Sequence, residues 1–545
     1  MNAVGKAIGG LLLVGTALVS PIDAQAAATP PALPTKTVSP LPPDNPGGRI
    51  IKVAAGADLQ AALNGAKGND TLVLEAGATW VGNFELPRRK DAGWVTIRSS
   101  LEKNLPPAGQ RVSPEHAPAM PKVITPNASP AITARDGSQG WRLVGLEVSV
   151  VPTWKTVVYQ LVLFGWGSGP WGRRTPTDAV ASRFIVERCY IHGSQTQFVR
   201  RGLLANGADI RISDSWIDEI HDRGFDSQAI LGYDGPGPYL IENNELQASS
   251  ENIMFGGADS SGPDFFPSDI VIRRNHIIKP LRWKPNHPDH DGLPWVIKPL
   301  IELKFAQRVL IEGNILENSW GWPAFVFDAF GAKRDPWLAV QDVTFRYNHI
   351  LNATCPWQGW AASAPIRRIA LLHNVSAESI DPKAGNAYTR AAVGNFSSSK
   401  SFPIEDLWIE HNTVVKSVRG ITIGGGSYMP RLTIKHNIFP YGPAVEGHWV
   451  WKDLNNSDPY WAVTRVAPDR DIARNALIGV QGRSNRVVYD PDEFGVWASA
   501  EAAAVNPDGT LQASSPLRRV SIDRKDIGAD FDALETILSF PRRRQ

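Results

Sequence analysis

Cysteine is nearly missing from these 545 residues, with only Cys189 and Cys355 present. That scarcity excludes a disulfide framework and any Cys-based zinc motif, so something other than cross-links must hold the fold. An excess of charge is missing too. The 56 Lys and Arg stand against 54 Asp and Glu, a net +2, which makes no electrostatic case for nucleic acid. Past the N-terminus, no stretch reaches the ~18 uninterrupted apolar residues that a membrane span needs.

What the chain does have is one short phrase that keeps returning. It reads Ile241-Glu242-Asn243-Asn244, Ile272-Arg273-Arg274-Asn275 and Ile311-Glu312-Gly313-Asn314, then closes at Asn348, Asn374, Asn412, Asn437 and Asn475. An apolar residue usually stands two places before the Ile, as at Tyr239, Ile270 and Val309. Such period-2 alternation marks a strand with one buried face. The Asn recurs at intervals of 25 to 39 residues, and Cys189 and Ser215 hold its place in two earlier segments.

A repeat of this length buries its hydrophobic face only by stacking on its neighbours. Helical repeats are disfavoured because the phrase is β-branched and bounded by Gly, Pro and Asn. A propeller blade would hold a steadier ~40–45 residues. A right-handed parallel β-helix tolerates the uneven spacing, since each coil lets its turns grow outward. In that fold each Asn amide is expected to bond the Asn of the adjacent coil, one strand spacing (~4.8 Å) away.

The segment Ala55-Gly-Ala-Asp-Leu-Gln-Ala-Ala-Leu63, followed by Gly68-Asn-Asp-Thr-Leu-Val-Leu-Glu-Ala-Gly77, resembles the opening of secreted pectate-lyase-like β-helix proteins. The Asn repeats and the closing Asp526-Ile-Gly-Ala-Asp530 are similar to the same superfamily, over roughly residues 50–535. The resemblance is specific for fold, not for activity. It implies that a helix over residues 57–66, with Leu59, Ala62, Leu63 and Ala66 on one face, plugs the N-terminal end of the barrel. It also implies Arg or Lys bases beside acids. Two departures limit it. Trp216-Ile217-Asp218-Glu219 is similar to the Trp-Ile-Asp-His of pectate lyases but has Glu for His, and the chain lacks the Asp-Asp pair and Gly-His-Gly of polygalacturonase-like hydrolases.

Along the chain, Lys6, the apolar run Ala7–Val19 and Ala24-Gln25-Ala26 read as a signal peptide over residues 1–26. The mature protein is therefore expected to be secreted or periplasmic, with no transmembrane span after cleavage. A Pro-rich stretch, residues 27–49, reads as a semi-rigid linker, residues 50–535 as the β-helix and 536–545 as a basic tail. A helix is expected over Trp497–Val505, and the protein is expected to be a monomer.

Between the Asn phrases runs a second strand set: Ala229–Tyr233, Asn252–Phe255, Leu300–Phe305, Ala324–Ala329 and Gly420–Ile423. Stacked, it offers an outer groove suited to a polysaccharide. The segments between Cys189 and Asn275 bring the most acids, bases and glycines into adjacent coils, so the site is expected there. His221, Asp222, Arg223 and Asp226 are the acid–base candidates, where a neighbouring acid orients a proton acceptor. Lys304 joins them, facing outward with Glu302, and Asp328 occupies a comparable strand of the next coil. Glu251 and Asp259, near Gly256-Gly257, are candidate Ca²⁺ ligands, and Asn252, Trp320 and Trp322 are candidate substrate contacts. His287-Pro-Asp289-His290-Asp291 has metal-ligand residue types, but four ligands in five residues around a Pro seldom converge. For each set the competing reading is structural: turns tied by their own side chains, or Trp filling loop cores.

Three functions fit the pattern. The leading one is a lyase that cleaves an acidic polysaccharide by β-elimination. The others are a glycoside hydrolase with paired carboxylates, drawing on Asp222, Asp226, Glu251 and Asp259, and a non-catalytic carbohydrate-binding scaffold.

Overall fold

The computed structural model describes residues 28–44, 47–167, 173–175, 179–330, 335–378, 393–417, 420–424, 427–440, 466–479 and 490–538. The expected signal peptide and the Arg542–Arg544 end lie outside the described residues.

β-branched alternation becomes strand at every repeat. One coil runs through Ala208–Ser213, Trp216–Ile220 and Gln228–Gly232. The next begins at Tyr239–Glu242, parallel to Ala208–Ser213 with Ile241 opposite Ile212. Repetition of this path builds three sheets of 14, 11 and 14 strands. The repeat phrase forms the first sheet, the segment after its Asn the second, and the strand set between phrases the third (11-stranded) sheet. The chain is a right-handed parallel β-helix. Inside it, Ile212, Ile241, Ile272, Ile311, Phe345, Leu371, Ile409 and Ile434 form one buried column of a core shared by all coils.

The corner between first and second sheets explains the Asn. The residue before it takes a left-handed conformation in nearly every coil: Arg188, Asp214, Asn243, Arg274, Tyr347, His373, His411, His436 and Arg474 have φ between 51° and 57°. Gly313, and Gly145 at the same corner of an earlier coil, avoid the side-chain cost of that conformation. The sharp turn aims the next side chain inward, where it satisfies backbone that the corner strips of ladder bonds. The Asn275 backbone N–H and side-chain amide both donate to Asn314 Oδ1 at 3.0 Å. Asn314 repeats this to Asn348, and the row runs on to Asn475. Ser215 donates its N–H to Asn244 Oδ1 at 3.0 Å, and Cys189 its N–H to Ser215 Oγ at 3.1 Å. Both cysteines are buried and neither forms a disulfide, and burial pushes the Cys189 thiol up to about 12.

The Pro-rich segment expected to be a linker is instead laid along the solenoid. The opposite corner, from third to first sheet, is also left-handed, and its residues alternate in charge: Asp269, Arg308, Asp342, Arg368, Asp406 and Arg431. Each Arg bonds the Asp one coil before it, Arg308 to Asp269 at 2.8 Å and Arg368 to Asp342 at 2.6 Å. The same carboxylates accept backbone N–H groups from the segment: Thr29 on Asp406 at 3.0 Å, Ala32 on Asp342 at 3.0 Å, Thr35 on Asp269 at 2.8 Å and Ser39 on Asp209 at 2.6 Å. Proline favours an extended path, along which these four N–H groups meet the row of carboxylates. Asp269→Ala removes the acceptor of Thr35 and strands the Arg308 guanidinium. It is expected to cost about 1–3 kcal/mol and to open residues 28–44 to limited proteolysis. A parent-like cleavage pattern and melting point would mean that the segment is not held there.

The ends differ from expectation in detail. The N-terminal helix is short, Leu59–Asn64, with Asp58 Oδ1 accepting the Ala61 N–H at 2.9 Å and Leu59 and Leu63 in the core. No helix forms over Trp497–Val505. Trp497 ends the strand Phe494–Trp497, paired to Asn475–Ile478; residues 498–504 are bends and turns, and Val505 bridges to Leu511. The closing helix is Phe531–Leu538. Before it, the C-terminal segment docks on the Asn corner: Ile522 N–H donates to His436 Nε2 at 3.2 Å, and Gly528 O meets His411 Nδ1 at 3.1 Å. Among the described residues no helix is long and apolar enough to cross a membrane.

Candidate active site

Outward-facing residues of the third sheet change character along the axis. After Glu85 and Thr133 in the first two coils they are apolar: Leu163, Leu204, Leu231 and Met254 form a strip covered by Trp166 and Tyr233. The strip ends at Met254, whose register partner in the next coil is Glu302. In Ile301–Leu303 the flanking apolar residues enter the core and Glu302 points out, as Asp328 does from Phe325–Ala329.

An ionisable cluster begins there. Glu251, fully buried, accepts from Gln228 Nε2 at 2.7 Å and lies 3.5 Å from Lys298 Nζ. Lys298 also binds Asp226 at 2.7 Å, and Lys304 Nζ lies 3.7 Å from Glu302. Asp328 accepts from Gln358 Nε2 at 3.1 Å. One oxygen on each of Glu251, Glu302 and Asp328 is buried without a hydrogen-bond donor. The lysines and Asp226 are the open side, with 24%, 18% and 35% of the Lys298, Lys304 and Asp226 side chains exposed.

Burial and neighbouring charge set these carboxyls apart. Burial pushes Glu251 up, but the Lys298 charge and hydrogen bonds from Glu302 and Gln228 pull it lower overall. Glu302 is held well above the carboxylate range, first by burial and then by the Glu251 charge beside it. Two neighbouring buried carboxyls do not both ionise, and the opposite directions of their shifts put the proton on Glu302 and the charge on Glu251. Burial raises Asp328 to about 7. Lys298 is raised: burial opposes its charge, but Glu251 and Asp226 outweigh it. Beneath the cluster Lys279 is enclosed, donating to Ala248 O, Ser250 O, Asn252 Oδ1 and Pro299 O at 2.5–3.2 Å, and burial lowers it to about 7.

The structure brings Asp226, Glu251 and Lys304 into this cluster and leaves the other candidates outside. His221 is fully buried, bonded to Glu219 at 3.0 Å and stacked on Trp295 at 3.8 Å, so no substrate reaches it. Asp222 caps its own turn, accepting from Gly224 and Phe225 N–H groups. Arg223 lies over Phe198 and Trp295 at 5.5 and 5.4 Å. Trp320 is sealed in the same aromatic cluster, with Trp283. The Trp322 carbonyl accepts from Ser319 Oγ at 2.9 Å within its turn. Asn252 is buried, holding Lys279 and the Leu246 and Ile278 carbonyls rather than a sugar.

Glu251 and Asp259 do not fit a shared Ca²⁺. Lys298 stands where the cation would sit, and Asp259 lies 4.0 Å from Arg173. Residues 287–291 also spend their groups locally: Asp289 N–H donates to His287 Nδ1, and His290 Nδ1 meets Arg282 O. Among the described residues the one group of three close ligand types is Glu410, His411 and His436, at the Asn corner under the C-terminal segment.

Sequence reading missed Lys298, Gln228 and Lys279. Lys298 precedes the strand, and Leu300, buried in the core beside Ile301, breaks the alternation that would have pointed to it; Lys279, just past His276–Ile278, gave no signal.

No protein-family model matches the chain, and no curated protein matches it. Among solved structures it is similar to the PL6 family alginate lyase AlyGC, at 12% identity and a TM-score of 0.48, over 91% of this chain and 59% of that one. The chain thus spans about three fifths of that lyase's length. It is also similar to pectate lyase Pel9A (12% identity, TM-score 0.33, 88% and 96% covered) and to a Yersinia enterocolitica family 28 exopolygalacturonase (10%, 0.28, 83% and 77%). These likenesses concern the β-helix; lyases and a hydrolase share it.

Proposed function

We propose that the protein cleaves an acidic polysaccharide by β-elimination on the outer face of the third sheet. The observation that carries this is the split pair of Glu251 and Glu302, a charged and a protonated carboxyl side by side, next to two partly exposed ammonium groups. Lys298 and Lys304 meet the uronate carboxylate first and, with the neutral Glu302, offset its charge, which acidifies the α-proton. Asp328, near 7, is matched to accept that proton at neutral pH. The C–H electron pair forms the new C=C bond, the glycosidic C–O bond breaks, and Glu302 gives its proton to the leaving oxygen. Asp328 ends protonated and the Glu251–Glu302 pair one proton short, so Asp328 must release its proton and Glu302 regain one before the next turnover, with no net uptake.

Carboxyls on neighbouring coils also suit hydrolysis, with Glu302 as acid and Asp328 activating water. The deciding experiment is a screen of uronate polymers, with neutral glucans as controls, read in parallel by ultraviolet absorbance of unsaturated ends and by reducing ends. Both signals rising together is expected. Reducing ends without absorbance would make it a hydrolase, and neither signal would overturn cleavage.

The pH dependence has two opposite signs. Because Asp328 must be ionised to act, turnover is expected to rise as pH passes upward through about 7. Its folded pKa lies above the ordinary 3.8, so the stability it contributes is present in acid and lost as pH rises through about 7. Asp328→Asn should therefore lose activity yet melt higher than the parent near pH 8, with the two converging near pH 4. A melting difference independent of pH would show that Asp328 titrates normally.

A further inference from the structure

The carboxyl cluster is flanked along the helix axis by two exposed aromatic patches. Beyond it, Trp360 is the register partner of Asp328 in the next coil, so Lys304, Asp328 and Trp360 follow one another on the outer face. Trp360 is 46% exposed and stacks against Phe330, itself 52% exposed, at 6.0 Å and 22°. Its strand partner Trp357 is fully buried, so the strand sends one indole into the core and the other to solvent. Before the cluster, Phe225 is 60% exposed beside Asp226, whose carboxylate holds Lys298. The Arg200 guanidinium lies 4.8 Å from the Phe225 ring and 5.9 Å from that of Tyr159, which is 48% exposed.

Large exposed rings are costly to leave in water unless something covers them, and flat apolar faces match the apolar faces of sugar rings. From the Phe225 coil to the Trp360 coil is four strand spacings, about 19 Å, long enough for several sugar units. The cluster lies between the two patches, so a chain spanning both places an internal bond over Glu302 and Asp328. Arg200 adds a fixed positive charge on one side only, suited to a carboxylate-bearing sugar.

We propose that Phe225 with Arg200, and Trp360 with Phe330, are two sugar-binding platforms that hold a uronate-bearing polysaccharide along the helix axis, so that bonds inside the chain are cut. This rests on the site proposed above but is testable without turnover. The full chain carrying Glu302→Gln is run in native gels containing alginate, polygalacturonate or dextran. Retardation by at least one uronate polymer and not by dextran is expected. Adding Trp360→Ala or Phe225→Ala should each weaken that retardation about tenfold. Arg200→Gln should weaken uronate binding while leaving the thermal midpoint unchanged. With the Glu302 side chain intact, products early in digestion should be mixed oligomers, not a single small sugar.

Uronate binding unchanged by both aromatic substitutions would overturn the platforms, as would no retardation of the parent by either uronate polymer. Release of one small product from the start would overturn internal cutting. If Glu302→Gln proves fully active while the aromatic variants still bind weakly, the platforms stand and the catalytic assignment falls.

Discussion

Ile311→Asp is expected to leave the chain unfolded or aggregated. Ile311 has no exposed surface and lies in register between Ile272 and Phe345, in the apolar column that every coil extends. A carboxylate there has no partner in reach, and burying an unpaired charge belongs to the small class of changes costing more than about 4–5 kcal/mol. The damage should spread, because each coil is stabilised mainly by its neighbours and a failed rung removes support on both sides. Far-ultraviolet circular dichroism and a thermal melt would measure it. A folded protein with the parental melting point would mean that the first sheet's alternation is reversed.

Glu302→Gln is expected to leave the fold intact and remove nearly all activity. Glutamine keeps the shape and can still donate a hydrogen bond to Glu251, but it has no proton to give the leaving oxygen. Loss of a positioned general acid lowers rates by about 10²–10⁴. Assayed on whichever uronate polymer the parent cleaves, the variant should show a depressed kcat with KM little changed, because the amide still fills the same place. Retention of more than a tenth of the parental kcat would remove Glu302 from the chemistry.

The fold was legible because one corner is built the same way in every coil. A left-handed residue followed by an inward Asn is a local instruction, so the phrase from Ile241 to Asn244 already carries strand, turn and ladder. The site had no such instruction. Its carboxyls come from short strands, Ile253–Phe255, Ile301–Leu303 and Phe325–Ala329, separated by excursions of different lengths, and only the assembled register puts Glu251 beside Glu302. Parity worked inside strands and failed in turns. It puts Glu302 outside and would have put Trp360 there too. Trp320, by contrast, follows Ile315–Ser319 directly into a turn, where long-range packing against Trp283 decides its place. His221 misled for a related reason: a polar residue after a strand looked open, yet the excursion carrying Trp283 and Trp295 folds back over it.

The Pro-rich segment acts as a length gauge for the solenoid. Thr29, Ala32 and Thr35 are three residues apart, and their acceptors Asp406, Asp342 and Asp269 lie on every second strand of the first sheet. Three residues of polyproline II advance about 9.3 Å, and two strand spacings are about 9.6 Å, so the two repeats stay in phase over several coils. A coil added or lost between Asp269 and Asp406 would set N–H against Arg instead of Asp along the rest of the row. The number of coils in this stretch is thereby tied to the number of residues between Thr29 and Thr35, two coils for every three residues.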